Sequence, residues 1–236
     1  MPTMSESVLH LARLKGKIIA IDGPAGSGKS TTSRMLAARL GYTYLDTGAM
    51  YRAITWFALK AKIELSDADK LGEVAQKMPL EFKTEDEVNR VLVGEHDVTS
   101  EIRSVEVTKH VSEVSAHKTV REAMVARQRQ MARNGSIVAE GRDTTTVVFP
   151  RADIKIYLDA DTRTRARRRL LDLSHMGVST TVEEQEADII RRDKYDSGRA
   201  HSPLTKAKDA YTVDTSNLTI EGQVDQIIAL IRSVIK

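Results

Sequence analysis

The chain has 236 residues, 41% of them hydrophobic and 29% charged, enough apolar material for one large domain or a domain carrying an insertion. A net charge of +3 and an aromatic content of 4% offer neither a strong field nor a stacking platform for nucleic acid, and the lack of cysteine excludes a disulfide framework and thiol chemistry. No run approaches the ~20 apolar residues of a membrane span, and residues 1–15 lack a secretory-signal pattern, so they read as an extension and a cytoplasmic location is expected.

The first apolar run, KIIAID at 17–22, has the length of a buried strand and stops abruptly at GPAGSGKST. Gly23, Gly28, Lys29 and Ser30 fit the pattern G-x-x-x-x-G-K-[ST], with a strand before it and the helix-like TTSRMLAARL after it. Gly23, Pro24, Ala25, Gly26, Ser27, Gly28, Lys29, Ser30 and Thr31 are therefore the candidate triphosphate cradle. Backbone N–H groups turn inward there, Lys29 reaches the β/γ oxygens and Ser30 ligates Mg²⁺. Asp22, just before the loop, has two readings: orienting metal-bound water, or capping the strand end.

Further apolar runs follow at YTYLD (42–46), SIVAE (136–140), IKIYLD (154–159) and AYTVD (210–214). Helical spacing lies between them, with Val120, Met124, Gln128 and Met131 on one face, and Val224, Ile227, Ile228 and Ile231 on another. Strands alternating with helices predict an α/β fold with a parallel sheet. The stretch 79–100 breaks the pattern: PLEFKT, the turn-like EDE and VNRVLVGEHDVT alternate apolar and polar residues and predict an inserted antiparallel hairpin.

The asparagines stand in VNRV, RNGS and SNLT, so no guanine-reading N-K-x-D segment exists. Instead, Arg/Asp clusters occur in DTGAMYR after the second strand, in GRD after SIVAE, and in RDKYDSGR. Two of them follow strands, where open α/β sheets bind ligands. Arg52, Arg142 and Arg199 thus become candidates for a second phosphate, which the guanidinium fork suits. The arginine run RTRARRR at 163–169 reads as a lid over the triphosphate, a solvated helix face or, least well, a nucleic-acid patch.

Together, IDGPAGSGKST, LDTGAMYR, DVTSEIRS, VREAMVARQR, EGRDTTTVVFP and RRDKYDSGRAHSPL resemble the bacterial cytidylate kinase family from about residue 16 to the C-terminus. The resemblance implies a P-loop three-layer α/β domain at 16–236 with about five parallel strands. It also implies a monophosphate-binding insert at 63–117 and a helical lid at about 161–179. The activity it implies is MgATP-dependent phosphorylation of CMP and dCMP by a monomer, without nucleic-acid or membrane partners. By similarity, Ser112, Arg121 and Asp143 face the cytosine base and Arg192 and Asp196 the ribose. Arg52, Arg142 and Arg199 hold the acceptor phosphate, with Thr47 nearby. Lys29, Arg142 and Arg199, with Arg165 and Arg169 of the lid, carry catalysis.

The base assignment is chemically sound: a carboxylate such as Asp143 accepts from the exocyclic amine of cytosine, and Arg121 donates to N3 and O2. Uracil reverses the first two sites. Taken without the resemblance, Arg121 reads as part of a solvated helix face. One departure concerns Thr144-Thr145, where the family usually carries an apolar residue and glycine. A β-branched residue at the glycine position is expected to shift the backbone under the nucleotide and alter affinity or pyrimidine preference. Two other readings stay open: a P-loop kinase for UMP or shikimate, and an ATP-binding or RNA-binding regulator.

Overall fold

The computed structural model describes residues 14–85, 88–175 and 177–235; residues 1–13 of the predicted extension at 1–15 and residues 86–87 of the EDE turn lie outside the described residues, while Leu14 of the extension is buried in the core. The strands in chain order are β1 (Ile18–Asp22), β2 (Thr43–Asp46), β3 (Leu80–Glu85), β4 (Val88–Val93), β5 (His96–Asp97), β6 (Ile137–Gly141), β7 (Ile154–Asp159) and β8 (Tyr211–Asp214). The described helices are α1 (Lys29–Leu40), α2 (Thr47–Lys60), α3 (Ala68–Lys77), α4 (Val105–Val114), α5 (Lys118–Met131), α6 (Thr162–His175), α7 (Val182–Ser197) and α8 (Ile220–Val234). The chain divides into two compact units: the first takes the chain up to Leu45, residues 131–198 and everything from Ser202 on, and the second takes 46–130 with 199–201.

In the first unit, five strands form one sheet in the order β2-β6-β1-β7-β8. Parallel pairing sets Ile18 to Asp22 opposite Ile137 to Gly141, and Asp159 opposite Asp214. The sequence IIAID is buried almost throughout, as a central parallel strand covered on both faces must be. Leu36 of α1 and Val224, Ile227 and Ile231 of α8 pack against Ile19, Ile21 and Ile156 of the sheet. Each such side chain contributes about 1.5–3 kcal/mol by leaving water. Thr219 caps α8 by accepting from the Gly222 N–H. The predicted strands at 17–22, 42–46, 136–140, 154–159 and 210–214 are all present, within one residue at each end.

The second unit holds the predicted hairpin, extended by a short third strand to an antiparallel sheet β3-β4-β5. Leu80 pairs with Val93 and Phe82 with Val91. Leu80, Val91 and Val93 are buried while Glu81 and Lys83 are exposed, so the alternation read in the sequence has one buried face. Helices α3 and α4 were not foreseen. Each begins at a side-chain cap, Asp67 accepting from the Lys70 N–H and Ser104 from the Val107 N–H.

Candidate active site

At the end of β1 the chain turns out of the sheet on glycines. Gly23 has φ +155°, and a Cβ there would stand 2.0 Å from the Leu158 carbonyl oxygen, so no larger residue fits. Gly28, at φ +91°, is the N-cap of α1 and supplies no side-chain cap, leaving the first-turn N–H groups to a ligand.

The outer wall of this loop is braced through its carbonyl groups. Arg165 Nη1 donates to the Ala25 oxygen at 3.2 Å, Arg168 Nη1 to that of Gly26 at 3.4 Å, and Thr215 Oγ1 to that of Ser27 at 3.0 Å. Because C=O and N–H point in opposite directions across a trans peptide, these bonds turn the N–H groups of Gly26, Ser27 and Gly28 to the inner side. Thr32 Oγ1 donates to Gln223 Oε1 at 2.5 Å and ties α1 to α8. Arg168 and Gln223 were not singled out in the sequence.

Lys29 opens α1, is 5% exposed, and donates from Nζ to the Pro24 carbonyl at 2.7 Å. Burial, aided by the nearby Arg142, lowers its ammonium to about 7 against the pull of Glu140 and Asp22. An anion held against Lys29 would reverse this shift.

Ser30 Oγ donates to Glu140 Oε1 at 2.6 Å, and Tyr44 Oη donates to the same oxygen at 3.1 Å. Nothing in the sequence marks Glu140 as a site residue. It is only the last acid of SIVAE, and the parallel pairing of β1 and β6 is what sets it beside the loop. Among the described residues no group of three or more His, Asp or Glu forms a cation cage by itself.

The Asp22 carboxylate accepts from four donors. Thr144 N and Oγ1 reach Oδ1 at 2.8 and 2.5 Å, and Thr145 N and Oγ1 reach Oδ2 at 2.8 and 2.5 Å. An ionised carboxyl has about four lone-pair sites, so none is left for metal-bound water; of the two readings, Asp22 caps the strand end. Burial pushes its carboxyl above the ordinary range and the hydrogen bonds pull it part of the way back. Residues 144–148 form a π-helical turn, and neither Thr144 nor Thr145 has positive φ, so the backbone there does not require glycine.

Arg142 Nε and Asp196 Oδ2 lie 2.9 Å apart, Arg192 is at 3.9 Å from the same oxygen, and the Asp196 side chain is 1% exposed. Burial disfavours the Arg142 charge, but Asp196, Glu140 and Asp193 more than offset it and hold the guanidinium above its ordinary range. Asp143 is buried next to Arg142 in the chain. Arg165 is buried at the loop wall and ion-paired with Asp193 at 2.6 Å, while Arg169 is half-buried one turn further on.

In the second unit, Asp46 caps α2 by accepting from the Ala49 N–H, and Thr47 follows it, buried. Arg52 Nη1 donates to Thr108 Oγ1 at 2.9 Å. Arg121 is 4% exposed, which excludes the solvated-face reading. It donates to the Ser115 carbonyl at 3.0 Å and lies 5.2 Å from the centre of the Tyr51 ring. Ser112 and Arg199 are half-buried.

The family model described as Cytidylate kinase matches residues 19–233. A cytidylate kinase from Limosilactobacillus fermentum is 48% identical over 224 residues, covering 94% of this chain and 99% of the relative. One from Citrifermentans bemidjiense is 44% identical over 228 residues, covering 97% and 96%. A crystal structure of an uncharacterised protein from Eubacterium ventriosum superposes with a TM-score of 0.50 at 13% identity, covering 92% of this chain and 99% of that one, and shares the fold. The braced P-loop at the end of β1 and these matches over nearly the whole chain place the protein in the cytidylate kinase family, as a nucleoside-monophosphate kinase.

Proposed function

We propose that the protein transfers the γ-phosphoryl group of ATP to CMP and dCMP, giving ADP and CDP or dCDP. The observation that carries the reading is the braced loop, with its inward N–H groups, buried Lys29 and Ser30–Glu140 pair at one end of the sheet. Family membership and the Arg/Asp residues by Asp143 and in the second unit support CMP as acceptor.

Gly23 to Thr31 bind the triphosphate, and Lys29 neutralises the β/γ oxygens. Mg²⁺ takes oxygen ligands and keeps several waters and phosphate oxygens, so a hydroxyl and a carboxylate 2.6 Å apart suit it better than a closed cage. Ser30 would hold the ion with Glu140 behind it; when bound, Mg²⁺ neutralises charge on the phosphates. The acceptor oxygen is already anionic, so no general base is assigned.

Arg52, Arg142 and Arg199 bind the acceptor phosphate with Thr47, Arg192 and Asp196 the ribose, and Ser112, Arg121 and Asp143 the base. Residues 63–117 form the monophosphate-binding insert and about 161–179 the lid of a kinase domain at 16–236. From that lid, Arg169 and Arg165 act on the triphosphate, Arg165 also from behind the loop. Positioning and neutralisation supply the rate. The enzyme acts as a cytoplasmic monomer without nucleic-acid or membrane partners; no described helix is long and apolar enough to cross a membrane.

The test is ADP release from MgATP with CMP, dCMP, UMP, AMP and shikimate in turn. Strong release confined to CMP and dCMP is expected. Equal release with UMP overturns the role of Asp143, and release with shikimate alone overturns the acceptor class.

A further inference from the structure

We infer that Thr144 and Thr145 are positioning residues for phosphoryl transfer: their hydroxyls lock the Asp22 carboxylate and thereby fix the start of the P-loop against the Arg142–Asp143 segment. Each threonine gives Asp22 its backbone N–H at 2.8 Å and its hydroxyl at 2.5 Å, one residue to each carboxylate oxygen. All three residues are buried, so no water competes for these bonds.

The π-helical turn makes the arrangement possible. Val147 and Val148 N–H both return to the Asp143 carbonyl, at 2.9 and 3.1 Å, which leaves two successive residues at the head of the turn aimed at the same acceptor. Burial and the bonds to Asp22 hold each hydroxyl in place, so the hydroxyls are oriented before any ligand arrives. Thr144 Oγ1 also lies 3.2 Å from the Ile21 carbonyl, adding a contact to the strand itself.

The clamp stands between two sets of reacting contacts. Asp22 is bonded through the chain to Gly23 and the loop that presents Lys29, and Thr144 to Asp143 and Arg142. Among the described residues, Lys29 of α1 and Tyr157 of β7 are titratable groups that feel the Asp22 charge. Neither of them donates to that carboxylate in place of the threonines. Loosening the clamp lets donor and acceptor contacts drift relative to each other, and a displacement of about 1 Å costs on the order of 10²-fold in rate.

The inference rests on the kinase reading above, and its test separates the two. In the full chain, Thr144→Val with Thr145→Val replaces both hydroxyls by methyl groups of the same shape, whereas Thr144→Ser with Thr145→Ser keeps both hydroxyls. Turnover, KM for ATP and CMP, and Tm are measured on the same samples. The valine pair is expected to lose about tenfold or more in kcat with both KM values within about twofold. The serine pair is expected to stay within about twofold of the parent. A folded valine pair with unchanged kcat, or a serine pair as slow as the valine pair, overturns the inference. Should the valine pair not fold, Thr145→Val against Thr145→Ser makes the same comparison with three donors left. A parent chain that does not phosphorylate CMP overturns the kinase reading instead.

Discussion

Glu140→Gln tests a site residue that only the fold reveals. The substitution keeps the shape and removes the charge from a side chain 4% exposed, whose Oε1 accepts from Ser30 at 2.6 Å and Tyr44 at 3.1 Å. A hydrogen bond to a charged partner is worth about 1.5–3 kcal/mol. With 1.36 kcal/mol for each factor of ten, losing it in the transition state slows kcat by about 10- to 150-fold. The fold should tolerate the change, because both hydroxyls can rotate to suit the new amide. A coupled ADP-release assay run across a Mg²⁺ titration reads both consequences: lower kcat, and a half-saturating Mg²⁺ concentration raised about tenfold, since a carboxylate behind Ser30 no longer favours the cation. Tm should move by no more than about 4 °C. Turnover within twofold of the parent at an unchanged Mg²⁺ requirement would rule out a role for the Glu140 charge behind Ser30.

Lys29→Met removes a buried ammonium whose charge burial disfavours, so thermal unfolding without nucleotide should hold or rise while kcat falls by about 10³-fold or more; near-normal turnover in the folded variant would rule out the P-loop assignment. Asp143→Ala should lower the CMP-to-UMP ratio of kcat/KM by about 10² with little change in KM for ATP, measured by paired substrate kinetics. Asp97 accepts from the Thr99 hydroxyl and N–H and from Arg90, which lowers its carboxyl to about 2 from 3.8. Its folded value is depressed, so its stabilisation is fully present above pH 3.8 and is lost as pH falls toward 2. Asp97→Asn should therefore flatten the acid limb of a Tm-against-pH curve in that window, and an unchanged limb would contradict the assignment.

The parts of the fold that were legible in the sequence are those set by neighbours along the chain. Ile18 to Asp22 had to be a buried strand, and Gly23, Gly26 and Gly28 had to leave it in a loop, whatever packed around them. The hairpin was equally local, because Leu80, Val91 and Val93 alternate with polar residues. Helices α3 and α4 are only ten residues each, but their apolar spacing is present in the sequence: Leu71 and Ala75 stand four apart, and Val107, Val111 and Val114 follow at steps of four and three behind the caps Asp67 and Ser104.

The site was less legible because its chemistry depends on pairing across the sheet. Glu140 becomes a partner of Ser30 only when β6 lies beside β1 in register. The run RTRARRR showed that arginines cluster, but not that Arg165 and Arg168 turn back to the carbonyls of Ala25 and Gly26. Thr144-Thr145 looked like a loss of glycine freedom; paired with Asp22, it is a gain of two donors. The buried position of Arg121 likewise depends on α5 packing against its own unit, not on the charges near it in sequence.

Product analysis tests CMP phosphorylation most directly. The protein is incubated with MgATP and CMP, and the nucleotides are resolved by anion exchange with ³¹P NMR on the mixture. ADP and CDP are expected in equal amounts, and neither when CMP is left out. ADP without CDP, at a rate independent of CMP, would contradict CMP phosphorylation.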